Sequence, residues 1–124
     1  MSDKPLAEKL QVKQGRKLAI VDCPAGLDLM LGADVPLTDE VADAQVVLAF
    51  ARSVAELERV LPALAPRLMP GAILWLGYPK LGTPLASDIS RDVIHRHAPT
   101  AGLDCVAQIA IDATWSALRL KRLG

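Results

Sequence analysis

The sequence predicts an α/β fold, a three-layer Rossmann-like domain with a mostly parallel sheet and a C-terminal antiparallel hairpin. Two apolar runs, 46–50 and 72–76, have the length of strands that are buried on both faces. A stretch of helical spacing lies between them, and alternating strands and helices are typical of a parallel sheet. The last two strand-like runs, 104–112 and 115–123, are joined too closely for a helical crossover, so we expect them to pair antiparallel.

The composition predicts one domain over residues 1–124. Hydrophobic residues make up 52% of the chain and 14 basic residues balance 14 acidic ones, which argues against a disordered segment and a nucleic-acid binder. The longest uncharged stretch, 68–79, is shorter than the roughly 20 residues of a membrane span. Charges occupy the amino terminus, where a signal peptide needs an apolar centre. We therefore expect a cytoplasmic monomer or homodimer with no membrane partner.

The first half of the chain contains one clear strand and three weaker segments. Two leucines four residues apart predict a short helix over 5–10. The apolar run 18–21 is the centre of the first strand. A short helix at 27–31 and an edge strand at 35–37, interrupted by a proline, are predicted to follow.

The second half contains two predicted helices. Ser53 and Glu56 form a capping box, in which the Ser53 hydroxyl accepts the N–H of Glu56 and the Glu56 carboxylate accepts the N–H of Ser53. The helix that follows has one apolar stripe, and Pro62 and Pro66 should bend it or end it early. The second helix is predicted to begin at about Ser87.

Cysteine and histidine content predicts neither a disulfide framework nor a metal site. Cys23 and Cys105 are too few and too far apart in sequence for a disulfide framework or a zinc site, so we expect two reduced thiols. His95 and His97 lie two positions apart in a predicted helix and point in different directions. We therefore predict no metal site.

Three segments, 17–21, 74–80 and 112–118, resemble a small bacterial family catalogued only as a domain of unknown function. That resemblance implies a fold and no chemistry. The order of elements and the run 64–74 are similar to a shortened class I methyltransferase fold. For six predicted strands counted along the chain, this resemblance implies the sheet order 2-1-3-4-6-5.

This strand order places a switch point between predicted strands 1 and 3, and ligands of open α/β sheets bind beside the carboxyl ends of the strands at such a point. The candidate crevice consists of Asp22, Gly26, Arg52, Ser53, Tyr78 and Lys80. Asp22 could cap a helix or hold a ligand hydroxyl, and Lys80 could bind an anion, act as a base or be a solvated loop residue. No nucleophile elbow or P-loop is present, so we assign no catalytic residue.

Two functions of different classes remain. The first is a non-catalytic domain that binds a partner protein or a small metabolite and uses no cofactor. The alternative is an S-adenosylmethionine-dependent small-molecule methyltransferase. Such enzymes need an open glycine-rich turn after strand 1, whereas residues 22–26 contain one glycine and Pro24 lacks a backbone donor. Asp39 and Glu40, the candidates for binding ribose hydroxyls, follow a strand that is broken by a proline. The sequence therefore favours the first function and predicts no methyl transfer.

Overall fold

The computed structural model describes residues 6–12, 16–25, 27, 29 and 35–122. Its helices and strands are α1 (Leu6–Lys9), β1 (Leu18–Val21), β2 (Val46–Phe50), α2 (Val54–Leu64), β3 (Ile73–Pro79), α3 (Arg91–His97), β4 (Leu103–Ala110) and β5 (Trp115–Arg122). Short 3-10 helices lie at Val41–Asp43, Ala65–Arg67 and Ala98–Ala101. The predicted α/β class is confirmed. None of the helices in the described ranges is long and apolar enough to cross a membrane.

The strands form one sheet in the order β1-β2-β3-β5-β4. Strands β1, β2 and β3 are parallel, while β5 is antiparallel to both β3 and β4. The predicted edge strand at 35–37 is reduced to one parallel bridge between Leu37 and Leu18. If this segment is counted as the second strand, the order is the predicted 2-1-3-4-6-5.

Hydrophobic clusters cover both faces of the sheet, as a Rossmann-like fold requires. On one face, α2 and α3 pack on the strands, and on the other Leu6 and Leu10 pack beside the aromatic side chains of β2, β3 and β5. Every residue of β2 and β3 is buried. The indole N–H of Trp75 donates to the carbonyl oxygen of Leu10 at 3.0 Å, which holds the amino-terminal segment on the sheet.

Helix α2 begins as predicted, with one different hydrogen bond. The Ser53 hydroxyl accepts the N–H of Glu56 at 3.2 Å. The Glu56 carboxylate, however, accepts the N–H of Arg52 at 3.3 Å and not that of Ser53. Pro62 lies inside the helix, which ends at Leu64 and continues as a 3-10 helix that contains Pro66.

Helix α3 begins at Arg91, four residues later than predicted. Ser90 is its N-cap, because its hydroxyl accepts the N–H of Val93 at 3.3 Å. The serine chosen from the sequence, Ser87, instead donates to the carbonyl oxygen of Arg52. The predicted short helix at 27–31 lies largely outside the described residues.

Candidate functional site

The carboxyl ends of the parallel strands β1, β2 and β3 lie at one edge of the sheet, where the sequence placed the candidate crevice. The loop 80–90 leaves β3 at this edge and reaches the start of α2. There Ser87 donates to the carbonyl of Arg52, and the Asp88 carboxylate accepts the N–H of Val54 at 2.9 Å. The loop is therefore attached to the chain that follows β2.

Arg52 and Ser53 both serve the start of α2. Ser53 caps the helix, and the Arg52 guanidinium Nε lies 3.4 Å from the Glu56 carboxylate. The Arg52 side chain is 63% exposed, so this ion pair is solvated and contributes little to stability. Both residues of the predicted crevice thus have structural partners, and Gly26 lies outside the described residues.

Asp22 is exposed at the end of β1 and has a φ of 57°, in the left-handed region. Aspartate tolerates this conformation better than most residues, so the chain bends sharply here without a glycine. The N–H of Leu27 donates to the carbonyl of Pro24 at 3.2 Å and closes the turn that follows. The segment before Asp39 pairs with β1 only through the bridge between Leu37 and Leu18, at the amino end of β1. Strand pairing therefore does not place Asp39 beside the carboxyl end of β1, where Asp22 lies.

Tyr78 and Lys80 line an open cavity of about 530 Å³ at the carboxyl end of β3, which we call the Tyr78 cavity. The start of α3, the end of β4 and the start of β5 complete its wall. Its other lining residues are Leu81, Ser90, Arg91, Gln108, Ile109, Ala110 and Ser116. The structure therefore separates the Tyr78 and Lys80 part of the predicted crevice from Arg52 and Ser53.

Hydrogen bonds link Arg91, Gln108 and Tyr78 in a row, and Lys80 bonds separately to the backbone. The Gln108 amide nitrogen donates to the Tyr78 hydroxyl at 3.2 Å, and Arg91 Nη1 donates to the Gln108 amide oxygen at 3.3 Å. Lys80 Nζ donates to the carbonyl oxygen of Asp112 at 2.8 Å. Ser116 is directly opposite Tyr78 in the β3–β5 pair. These contacts fix the Tyr78 hydroxyl and both basic side chains.

The Tyr78 hydroxyl keeps its proton at neutral pH and can therefore donate a hydrogen bond. Burial raises the pKa of Tyr78 above its usual value, and the hydrogen bond with Ser116 and the charge of Arg91 only partly oppose this effect. The residue is 4% exposed. The cavity therefore presents one phenol, two cations and several neutral polar groups.

Three members of this site were not predicted from the sequence: Arg91, Gln108 and Ser116. Gln108 and Ser116 are polar residues within strands, and Ser116 is buried between apolar neighbours, which is a signal that could have been used. Arg91 has no such signal, because it lies among other charged residues at the start of α3. The sequence alone cannot show which of these charges faces the cavity.

The described residues do not form a metal site, and both cysteines are free thiols. Within the described ranges, no group of three or more His, Cys, Asp or Glu residues is placed to hold a metal ion. Cys23 is an exposed free thiol and Cys105 a half-buried one. His97 Nδ1 lies 4.0 Å from the Glu58 carboxylate, on α3 and α2 respectively.

Comparison with solved structures shows a methyltransferase-like fold. A ribosomal protein L11 methylase from Lactobacillus delbrueckii subsp. bulgaricus has a TM-score of 0.59 and 17% identity, over 96% of this chain and 75% of the other. PigF with SAH has a TM-score of 0.62 and 11% identity, over 97% of this chain and 62% of the PigF chain. A TehB-like SAM-dependent methyltransferase from Corynebacterium glutamicum has a TM-score of 0.58 and 11% identity, over 98% of this chain and 89% of the other.

No family model matches the chain, and no curated protein matches its sequence. Membership of the small bacterial family of unknown function therefore stays a prediction. The preference for a non-catalytic domain was wrong, because these solved structures include methyltransferases and favour the alternative. The error came from requiring glycines after strand 1, although Asp22 itself takes the left-handed conformation there. At these identities the likeness establishes the fold of this chain.

Proposed function

We propose that this protein binds S-adenosylmethionine and transfers its methyl group to a small molecule held in the Tyr78 cavity. One observation carries the proposal: a sheet of the methyltransferase type has an open cavity of about 530 Å³ at its carboxyl edge. That volume is typical of sites for small molecules. The balanced charge of the chain argues against a nucleic-acid acceptor.

Asp22 is the residue best placed to hold the cofactor. Its carboxylate is exposed beside the switch point between β1 and β2, where it can accept hydrogen bonds from a ribose hydroxyl or an ammonium group. Its left-handed φ of 57° supplies the bend that a glycine would otherwise supply. Pro24 offers no N–H, so side-chain contacts replace part of the backbone cradle.

The residues of the Tyr78 cavity position the methyl acceptor. Bound S-adenosylmethionine supplies an electrophilic methyl carbon: a lone pair of the acceptor forms the new bond, the carbon–sulfur pair returns to sulfur, and any acceptor proton leaves to water. Tyr78 can donate a hydrogen bond to the acceptor, because its raised pKa keeps the phenol protonated. Gln108 holds that hydroxyl in place through its amide nitrogen, which donates to it at 3.2 Å.

Isothermal titration with S-adenosylmethionine and S-adenosylhomocysteine tests the proposal. We expect a dissociation constant at or below about 10 μM, equivalent to roughly −7 kcal/mol. Asp22→Ala should weaken binding at least about tenfold, a loss of about 1.4 kcal/mol, whereas Asp43→Ala should not, because Asp43 is also exposed but precedes the amino end of β2. Absence of binding by the unmodified protein at millimolar ligand would contradict the proposal. Transfer of a labelled methyl group to a mixture of small molecules then tests catalysis.

A further inference from the structure

Both charged side chains that line the Tyr78 cavity are basic. They are Lys80, just after β3, and Arg91, in the first turn of α3. Within the part of the chain that the structure describes, no carboxylate side chain lines the cavity. The carboxylate of nearby Asp112 accepts the N–H groups of Thr114 and Trp115, at 2.8 and 2.7 Å. The field inside the cavity therefore favours a negative ligand.

Neutral acceptors hold both cations. Lys80 Nζ donates to a backbone carbonyl at 2.8 Å, and Arg91 Nη1 donates to the amide oxygen of Gln108 at 3.3 Å. Over the described residues, neither forms an ion pair with a carboxylate. A guanidinium has five N–H donors, so Arg91 can bind an oxyanion while it keeps its bond to Gln108.

The rest of the cavity suits an apolar body. Leu81 is 66% exposed at its wall, so its side chain offers apolar surface to a ligand in the cavity. Ala110 lies on the facing wall, on the same side of β4 as Gln108, whereas the side chain of Ile109 packs into the cluster on the opposite face of the sheet. A ligand that covers Leu81 and Ala110 removes their apolar surface from water, which favours binding.

We infer that the Tyr78 cavity binds a small molecule with an apolar body and an oxyanion group, a carboxylate or a phosphate, held by Arg91 and Lys80. This molecule is the methyl acceptor, and that part of the inference rests on the proposed function. Anion binding itself depends only on the cavity and can be tested without a cofactor.

The test uses three probes of one shape: 2-naphthoate, 2-naphthyl phosphate and 2-naphthamide. Each is titrated into the full chain and followed by amide chemical shifts in NMR spectra. We expect at least one anion to bind at least about tenfold more tightly than the neutral amide, a difference of about 1.4 kcal/mol. Shifts should concentrate at Ala110 and Ser116, which line the cavity. Comparison of the dissociation constants of the two anions shows whether the cavity prefers a carboxylate or a phosphate.

Arg91→Gln and Arg96→Gln are the matched variants. Both positions are exposed on α3, but only Arg91 lines the cavity, so only its replacement should remove most of the anion preference. Lys80→Met should also reduce it. Equal binding of amide and anions, no shift at the two cavity amides, or equal loss in the Arg96 variant would overturn the inference.

Titration of S-adenosylmethionine into the same samples separates this inference from the proposed function. Cofactor binding without anion preference would overturn the inference and leave the proposed function standing. Anion preference without cofactor binding would support the oxyanion site and contradict its role as a methyl-acceptor site.

Discussion

Gly77 in β3 has no space for a side chain. A Cβ atom there would lie 2.6 Å from Cδ2 and 2.7 Å from Cε2 of Phe50. The Phe50 ring is held by an edge-to-face contact with Trp115, with 5.6 Å between the ring centroids. We expect Gly77→Ala to lower the free energy of unfolding by about 1–3 kcal/mol, the usual cost of overpacking. Chemical denaturation measures this loss.

The Phe50→Leu background is the control for Gly77. Leucine lacks the ring atoms that the new Cβ would meet, so Gly77→Ala should cost at least about 0.5 kcal/mol less in that background. If Gly77→Ala alone stays within about 0.5 kcal/mol of the unmodified protein, Phe50 moves aside more easily than its packing indicates.

The two thiols should differ in reactivity. Burial, and then the neighbouring Asp104 carboxylate, raises the pKa of Cys105 to about 11. Because the thiolate is the reactive form, only about one Cys105 thiol in a thousand is reactive at pH 8. Burial also raises the pKa of Cys23, but its thiol is exposed and has no carboxylate acting on it, so Cys23 should react with iodoacetamide before Cys105, as peptide mass spectrometry would show. Equal labelling of both would contradict this expectation.

A disulfide between these thiols is incompatible with the sheet order. Cys23 follows β1 and Cys105 lies in β4, the two outermost named strands. Four strand spacings separate them by about 19 Å, whereas a disulfide needs Cα atoms within about 7 Å. An internal Cys23–Cys105 link in the non-reduced protein would overturn this strand order.

At the scale of elements, the loop 80–90 and helix α2 stabilise each other through Asp88. Its carboxylate accepts the N–H of Val54, one of the helix donors that has no partner within the helix. We expect Asp88→Ala to cost about 0.5–2 kcal/mol, as loss of an N-cap does. Hydrogen exchange at the Val54 amide should become faster.

Asp88→Asn is the matched control, because its amide oxygen can still accept the N–H of Val54. It should retain most of the stability and of the protection at Val54. If Asp88→Asn lowers the free energy of unfolding as much as Asp88→Ala does, the negative charge near the helix start matters more than the hydrogen bond.

For the whole molecule, stability depends on the strands that are buried on both faces. Leu74 is 0% exposed in β3, with β2 on one side and β5 on the other. We expect Leu74→Ala to cost about 2–5 kcal/mol, because it removes apolar contacts and leaves a cavity. This is a large share of the about 5–15 kcal/mol that usually stabilises a domain.

Leu85→Ala is the control for that loss, because Leu85 is 54% exposed in the loop 80–90. Its replacement should change the free energy of unfolding by less than about 0.5 kcal/mol. A loss below about 1 kcal/mol in the Leu74 variant would show that β3 does not form the centre of the core.

The sequence by itself determined the two central strands, the antiparallel pairing of the last two strands and the start of α2. Continuous apolar runs predict β2 and β3, because a strand buried on both faces needs no polar side. The short connection between β4 and β5 predicts their antiparallel pairing, and Ser53 predicts the start of α2. These signals depend on neighbours along the chain, so they can be found without a structure.

Only the tertiary structure decided where α3 begins and which residues share the Tyr78 cavity. Ser87 and Asp88 bond to residues 35 and 34 positions away, which leaves Ser90 to cap α3. Gln108 meets Tyr78 across 30 positions and Arg91 across 17. Such contacts depend on the register of β5 between β3 and β4, and therefore on the packing of the whole sheet. A local pattern cannot contain them, because the partners become neighbours only after the chain has folded.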